Sequence, residues 1–143
     1  MRRKAASRRG NAAIEFALSF MLLWGTATGA FRYGYPIYVY QSLLSAVSAA
    51  ARFSSRADFD TGQTFVAGVK NMAVYGSPAG GTAALVPGLT TGSIGVTWTT
   101  DSKGAPQAIT VAVSSYSVNT MFQTFTFSGK PSVTVRYAGV YKP

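Results

Sequence analysis

Twenty consecutive residues, Ala12 to Phe31, are apolar or small apart from one carboxylate, Glu15. At 1.5 Å rise per residue such a run makes a helix of about 30 Å, the thickness of a bilayer's hydrocarbon core. It follows a head, Met1 to Arg9, that holds five Lys/Arg and no acid and stops at Gly10. By the positive-inside rule this head stays cytoplasmic and the C-terminal body crosses the membrane. A secretory signal peptide cut after Ala30 is the competing reading of a basic head and apolar core. Against it, the helical pattern continues past Phe31-Arg32-Tyr33.

Glu15 separates the membrane readings. A charge at the bilayer centre costs roughly 2.5–3.5 kcal/mol on insertion scales. Glu15 lies only about a turn inside the run, where snorkelling toward the headgroups lowers that cost. A plain boundary acid is the alternative. Ala13, Ala17, Gly25 and Gly29 recur at four-residue spacing, interrupted by Met21, and Gly25-Thr-Ala-Thr-Gly29 is a GxxxG match. That pattern permits close approach of helices in lipid.

The rest of the composition narrows the chemistry. The chain has no Cys and no His. A disulfide framework, an ordinary zinc site, and Ser-His-Asp or Cys-His catalysis are therefore excluded. Outside the head, eight basic residues against four acids leave +4 over residues 10–143. This is mildly basic, without the cationic stripe of a nucleic-acid binder. No enzyme, metal or cofactor is expected, and no nucleic-acid partner.

The stretch Arg8-Arg9-Gly10-Asn11-Ala12-Ala13-Ile14-Glu15-Phe16 resembles the type IV prepilin cleavage signal. As a whole, GNAAIEFAL is similar to the TadE-like minor pilins, or pseudopilins, of tight-adherence (type IVc) pili. The likeness is strong from Arg8 to Leu23, weaker to Arg56 and architectural beyond. Ser19-Phe20 stands where such segments often carry a proline. The resemblance implies cutting after Gly10 by a membrane aspartyl peptidase, with Gly10, Asn11, Glu15 and Phe16 as the processing residues and Arg8 and Arg9 as leader charges. It implies partners as well: the prepilin peptidase, other pilin subunits and a pilus assembly platform. Glu15, paired with the Asn11 amine of a neighbouring subunit, would set axial register. A subunit never extracted from the membrane, or a surface-binding adhesin module, is the alternative function.

Beyond the span, Tyr33, Tyr35, Tyr38 and Tyr40 suit either an interfacial aromatic belt or packing on the body. Pro36 is expected to interrupt or kink the helix near Tyr35. Helical spacing of Val39, Leu43, Val47, Ala50 and Ala51 then predicts helix to about Ser54. Asp60 reads as an N-cap with Gln63 three residues on, a better reading than a fragment of a calcium loop whose other ligands are missing. The helix so capped runs to about Tyr75, burying Phe65, Val69 and Met72. After a Gly/Thr/Ala-rich loop the period changes to two: Ile94, Val96, Trp98; Ile109, Val111, Val113; Val133, Val135, Tyr137. Asp101-Ser-Lys-Gly104 is the expected hairpin turn, and Met121 to Phe127 is a strand or an apolar loop.

The predicted fold is α+β and pilin-like: a long N-terminal helix, a second short helix, and a C-terminal antiparallel sheet of three or four strands. The corresponding division is a leader 1–10, a span 11–31, a helical stalk 32–56 and an extracytoplasmic domain 57–143.

Overall fold

The computed structural model describes residues 7–60, 63–102, 104–120 and 123–142. One α-helix, α1 (Ser7–Ser54), takes up its first third. Its 48 residues correspond to about 72 Å at 1.5 Å per residue. The interruption expected at Pro36 does not occur, because α1 passes through that residue as helix. A mid-helix proline costs about 3 kcal/mol, since it cannot donate to the carbonyl four residues back. Burial offsets this. Pro36 opens a row of buried positions on one face: Val39, Leu43, Ala46, Val47, Ala50, Ala51 and Ser54. The three-and-four spacing of that row is the helical repeat. The buried Ser54 hydroxyl donates to the Ala51 carbonyl at 2.8 Å and so leaves no orphan in the core.

A two-residue strand, β1 (Phe59–Asp60), leads into α2 (Gln63–Tyr75). Asp60 caps α2 as expected, but from a strand two residues farther upstream than a capping box places it. Its Oδ1 accepts the Phe65 N–H at 3.2 Å. Phe65, Val69, Ala73 and Val74 are buried, while Met72 is half-buried. Gly76 ends the helix at φ +72°, with its N–H donating to the Met72 carbonyl at 3.0 Å. A left-handed residue there suits glycine best.

The sheet comprises β2 (Ile94–Thr100), β3 (Pro106–Val113) and β6 (Ser132–Arg136), antiparallel in the order β2-β3-β6. The three alternating runs come into register: Val111 lies between Val96 and Val133, and Ile109 between Trp98 and Val135. Ile109, Val111 and Val113 point into the core under α1, and α2 covers β2. On the other face the Thr110 and Thr134 hydroxyls hydrogen-bond across the strands at 2.8 Å. Trp98 stays 41% exposed at the sheet edge. The β2–β3 turn forms as expected: Asp101 Oδ1 accepts the Ala105 N–H at 2.9 Å, and Gly104 sits at φ +80°. Lys103, within that turn, lies outside the described residues.

The Phe125 segment is a strand, but not of this sheet. Here β4 (Tyr116–Asn119) and β5 (Thr124–Phe127) make a separate antiparallel hairpin, with Val118 opposite Phe125. Met121 and Phe122, at its turn, lie outside the described residues. A last pair went unanticipated. In it β1 runs parallel to β7 (Tyr141–Lys142), placing Phe59 beside Tyr141. The Phe59 ring gathers Phe65, Trp98, Tyr137 and Tyr141, with centroids 4.9–6.1 Å away.

Candidate functional site

The exposed part of α1 is where the fold leaves chemistry unaccounted for. No residue from Asn11 to Tyr35 is buried, whereas Pro36 and the row after it are. Phe16, Met21 and Leu22 are each more than 70% exposed. A helix long and apolar enough to cross a membrane thus projects from a packed body, with its apolar window wholly uncovered. No core explains these side chains.

The surface of this projecting helix is ordered into rows. Phe16, Phe20 and Trp24 stack successively, with centroids 6.2 and 6.1 Å apart. The small residues Ala13, Ala17, Gly25 and Gly29 form a second row one residue out of step, hence about 100° around the helix. Gly25 and Gly29 face open space, where a β-carbon would meet nothing within 4 Å. Packing within the chain therefore does not require either to be glycine. Glu15 is exposed, and among the described residues it has no ion-pair or hydrogen-bond partner. Ser19 lies about 40° from it around the helix and Thr26 about 20°, so one face carries these three polar groups. Sequence reading singled out Glu15 alone; counting at 100° per residue finds the other two. The Thr26 hydroxyl lies 3.0 and 2.9 Å from the Leu22 and Leu23 carbonyls, which satisfies it without water.

Among the described residues α1 runs from Ser7, so Arg8, Arg9, Gly10 and Asn11 all lie within it. The side chains of Arg8 and Arg9 are outside the described residues. Asn11 and Glu15, four residues apart, share one face, with Phe16 adjacent.

Where the projecting helix meets the body, the side chains change character. Arg32 donates from Nη2 to Gln123 Oε1 at 2.8 Å and lies over the Tyr33 ring at 5.7 Å. Its Nε is covered and has no partner among the described residues. The four tyrosines divide. Tyr33, Tyr35 and Tyr38 remain exposed, whereas Tyr40 is half-buried and packs on Phe127 at 5.6 Å. Nearby, the Tyr116 hydroxyl donates to the Pro87 carbonyl at 2.6 Å. Burial, with a smaller contribution from Tyr35, pushes the Tyr116 phenol above its ordinary value. Between α1 and α2 an open cleft of about 510 Å³ is lined by Ala49, Arg52, Phe53, Arg56, Ala57 and Met72.

No curated protein and no solved structure matches the chain. A protein family does: residues 10–52 match the model of the TadE-like protein family. The match starts at Gly10, takes in Glu15 and both rows of the exposed helix, and stops at Arg52, within the buried part of α1. Over residues 10–52, nearly the whole of α1, the chain is thus similar to that family.

Proposed function

We propose that this protein is a minor pilin of a tight-adherence pilus, a structural subunit rather than an enzyme. In this reading α1 crosses the bacterial inner membrane once, with the body outside the cytoplasm. The observation that carries it is the uncovered helix from Asn11 to Tyr35, with a lone carboxylate at Glu15, inside a TadE-like segment. A bilayer covers such a helix before assembly, and neighbouring subunits cover it afterwards. Gly10 gives the peptidase a backbone without a side chain in the way. Cleavage there leaves an Asn11 ammonium at a helix start that already carries partial positive charge. In lipid few other partners exist for a carboxylate. The Glu15 of one subunit pairs with the Asn11 amine of the next and sets how far one helix slides along another.

Intact mass and N-terminal sequencing of the protein from its native membrane test this. A chain starting at Asn11 is expected. A chain starting near Phe31, or keeping Met1 in a cell with an active prepilin peptidase, would overturn the reading. The Glu15→Ala protein is expected to be cut normally yet to be lost from sheared filaments. Its normal incorporation would remove the register role.

A further inference from the structure

Away from its buried row, α1 carries a second row that the body leaves open. Tyr35, Tyr38, Ser42, Ser45, Ala49 and Arg52 follow one another at steps of three and four residues, and none of them is buried. Steps of that kind average about 3.5 residues, the spacing at which one helix lies along another. From Ser42 to Arg52, about 15 Å, the row is the floor of a groove. Ser42, Ser45 and Ala49 line one hollow with Leu85, and Ser45, Ala49 and Arg52 line the next with Leu44. Both leucines are exposed. They make apolar walls over a floor of small residues, which lets a second helix come close. The Leu85 N–H donates to the Val74 carbonyl at 2.7 Å and ties that wall to the end of α2. The Ser42 hydroxyl donates back to the Tyr38 carbonyl at 3.1 Å, so covering it strands no donor. Past Ala49 the groove opens into the cleft between α1 and α2 that Arg52 and Arg56 line. Both guanidinium groups belong to exposed residues, and neither has an ion-pair or hydrogen-bond partner among the described residues. The end of a helix favours a cation in its last turn, which accounts for Arg52. It does not account for Arg56, in the turn beyond.

We propose that this groove takes a helix of a second, different polypeptide, one that carries a carboxylate level with Arg52 and Arg56. The inference rests on the pilin reading, in which neighbouring subunits cover α1, and it names the chemistry of one of them. Small floor, apolar walls and two unanswered cations together call for an amphipathic helix with an acidic end. Phe31, four residues before Tyr35, carries the same row back into the apolar run, so the partner helix continues into the membrane beside α1. Charge argues against a second copy of this chain. A copy lying in the same register would bring like charges together at Arg52 and Arg56. Glu15, the only acid of α1, lies about 55 Å along the helix from Arg52. Of the other acids, Asp58, Asp60 and Asp101, none is free.

The test puts a photoreactive benzophenone amino acid in place of Ser45, Phe20 or Thr97, one at a time, in the full-length protein made at its native level in its own cells. Mass spectrometry then identifies each adduct and the peptide it joins. At Ser45 the expected adduct is with a polypeptide other than this chain, through a helical segment bearing an acid about two turns from the joined residue. Thr97, exposed on the sheet, should give several-fold less. Arg52→Glu combined with Arg56→Glu should lower the Ser45 yield several-fold, and changing the partner's acid to Lys should restore it, which a misfolded variant would not allow. An adduct between two copies of this chain, a joined segment without an acid, or a yield unmoved by the charge reversal overturns the proposal. So does an equal yield at Thr97. No adduct at Ser45, with Phe20 still joined to a neighbouring subunit, overturns the groove and leaves the pilin reading standing. No adduct at either position overturns both.

Discussion

Gly139 carries more structural weight than its place near the end of the chain suggests. A β-carbon there would stand 2.6 Å from the Ala57 carbonyl and 2.7 Å from the Tyr137 hydroxyl. That hydroxyl accepts the Phe59 N–H at 3.0 Å and lies within donating distance of the Ala57 and Val140 carbonyls. Gly139→Ala should therefore cost about 1–3 kcal/mol, the usual range for overpacking, read as a lower urea midpoint. Tyr116 gives a prediction in pH. The fold favours the neutral phenol, so its folded pKa lies above the unfolded value of about 10. The stabilisation is complete below the unfolded value and is lost as pH rises through the folded one. Unfolding free energy should fall at strongly alkaline pH, and Tyr116→Phe should flatten that fall. At this scale Glu15 was legible because an acid is improbable in an apolar run. Gly139 was not: its constraint comes from Ala57, eighty-two residues away, and no local pattern records it.

The elements follow the sequence where a period runs long enough to speak. The buried row of α1 and the alternating runs of β2, β3 and β6 were readable because each repeats several times. The β1–β7 pair is two residues long, too short for any period, and only the fold brings its halves together. Pro36 misled for a different reason. Local propensity argues for a break, yet the packing of Pro36, Val39 and Leu43 outweighs one missing hydrogen bond. The small-residue row makes a prediction here. Because Gly25 and Gly29 face open space, Gly25→Leu and Gly29→Leu should leave the circular dichroism and thermal midpoint of the detergent-solubilised protein unchanged. If the row is a contact between spans, the same changes should weaken helix association in a membrane two-hybrid assay by about tenfold, a loss of about 1.4 kcal/mol.

Taken whole, the molecule has two halves of opposite character sharing one helix: exposed apolar surface before Tyr35 and a packed core after it. A chain beginning at Phe31 keeps Arg32 and every buried position of α1. It should be soluble and monomeric by size-exclusion chromatography and should unfold in one cooperative step, within the usual 5–15 kcal/mol, about, for a single domain. A chain beginning at Leu44 loses Pro36, Val39 and Leu43 from the core and should not. The shared helix also decides how the body bears a pull. From Pro36 to Ser54 the contacts of α1 lie along the direction in which a tug on its exposed end would act. Such a load is carried in shear, with five turns of packing yielding together, rather than peeled away one contact at a time. The helix that hangs the body in its surroundings is thereby also its strongest point of suspension.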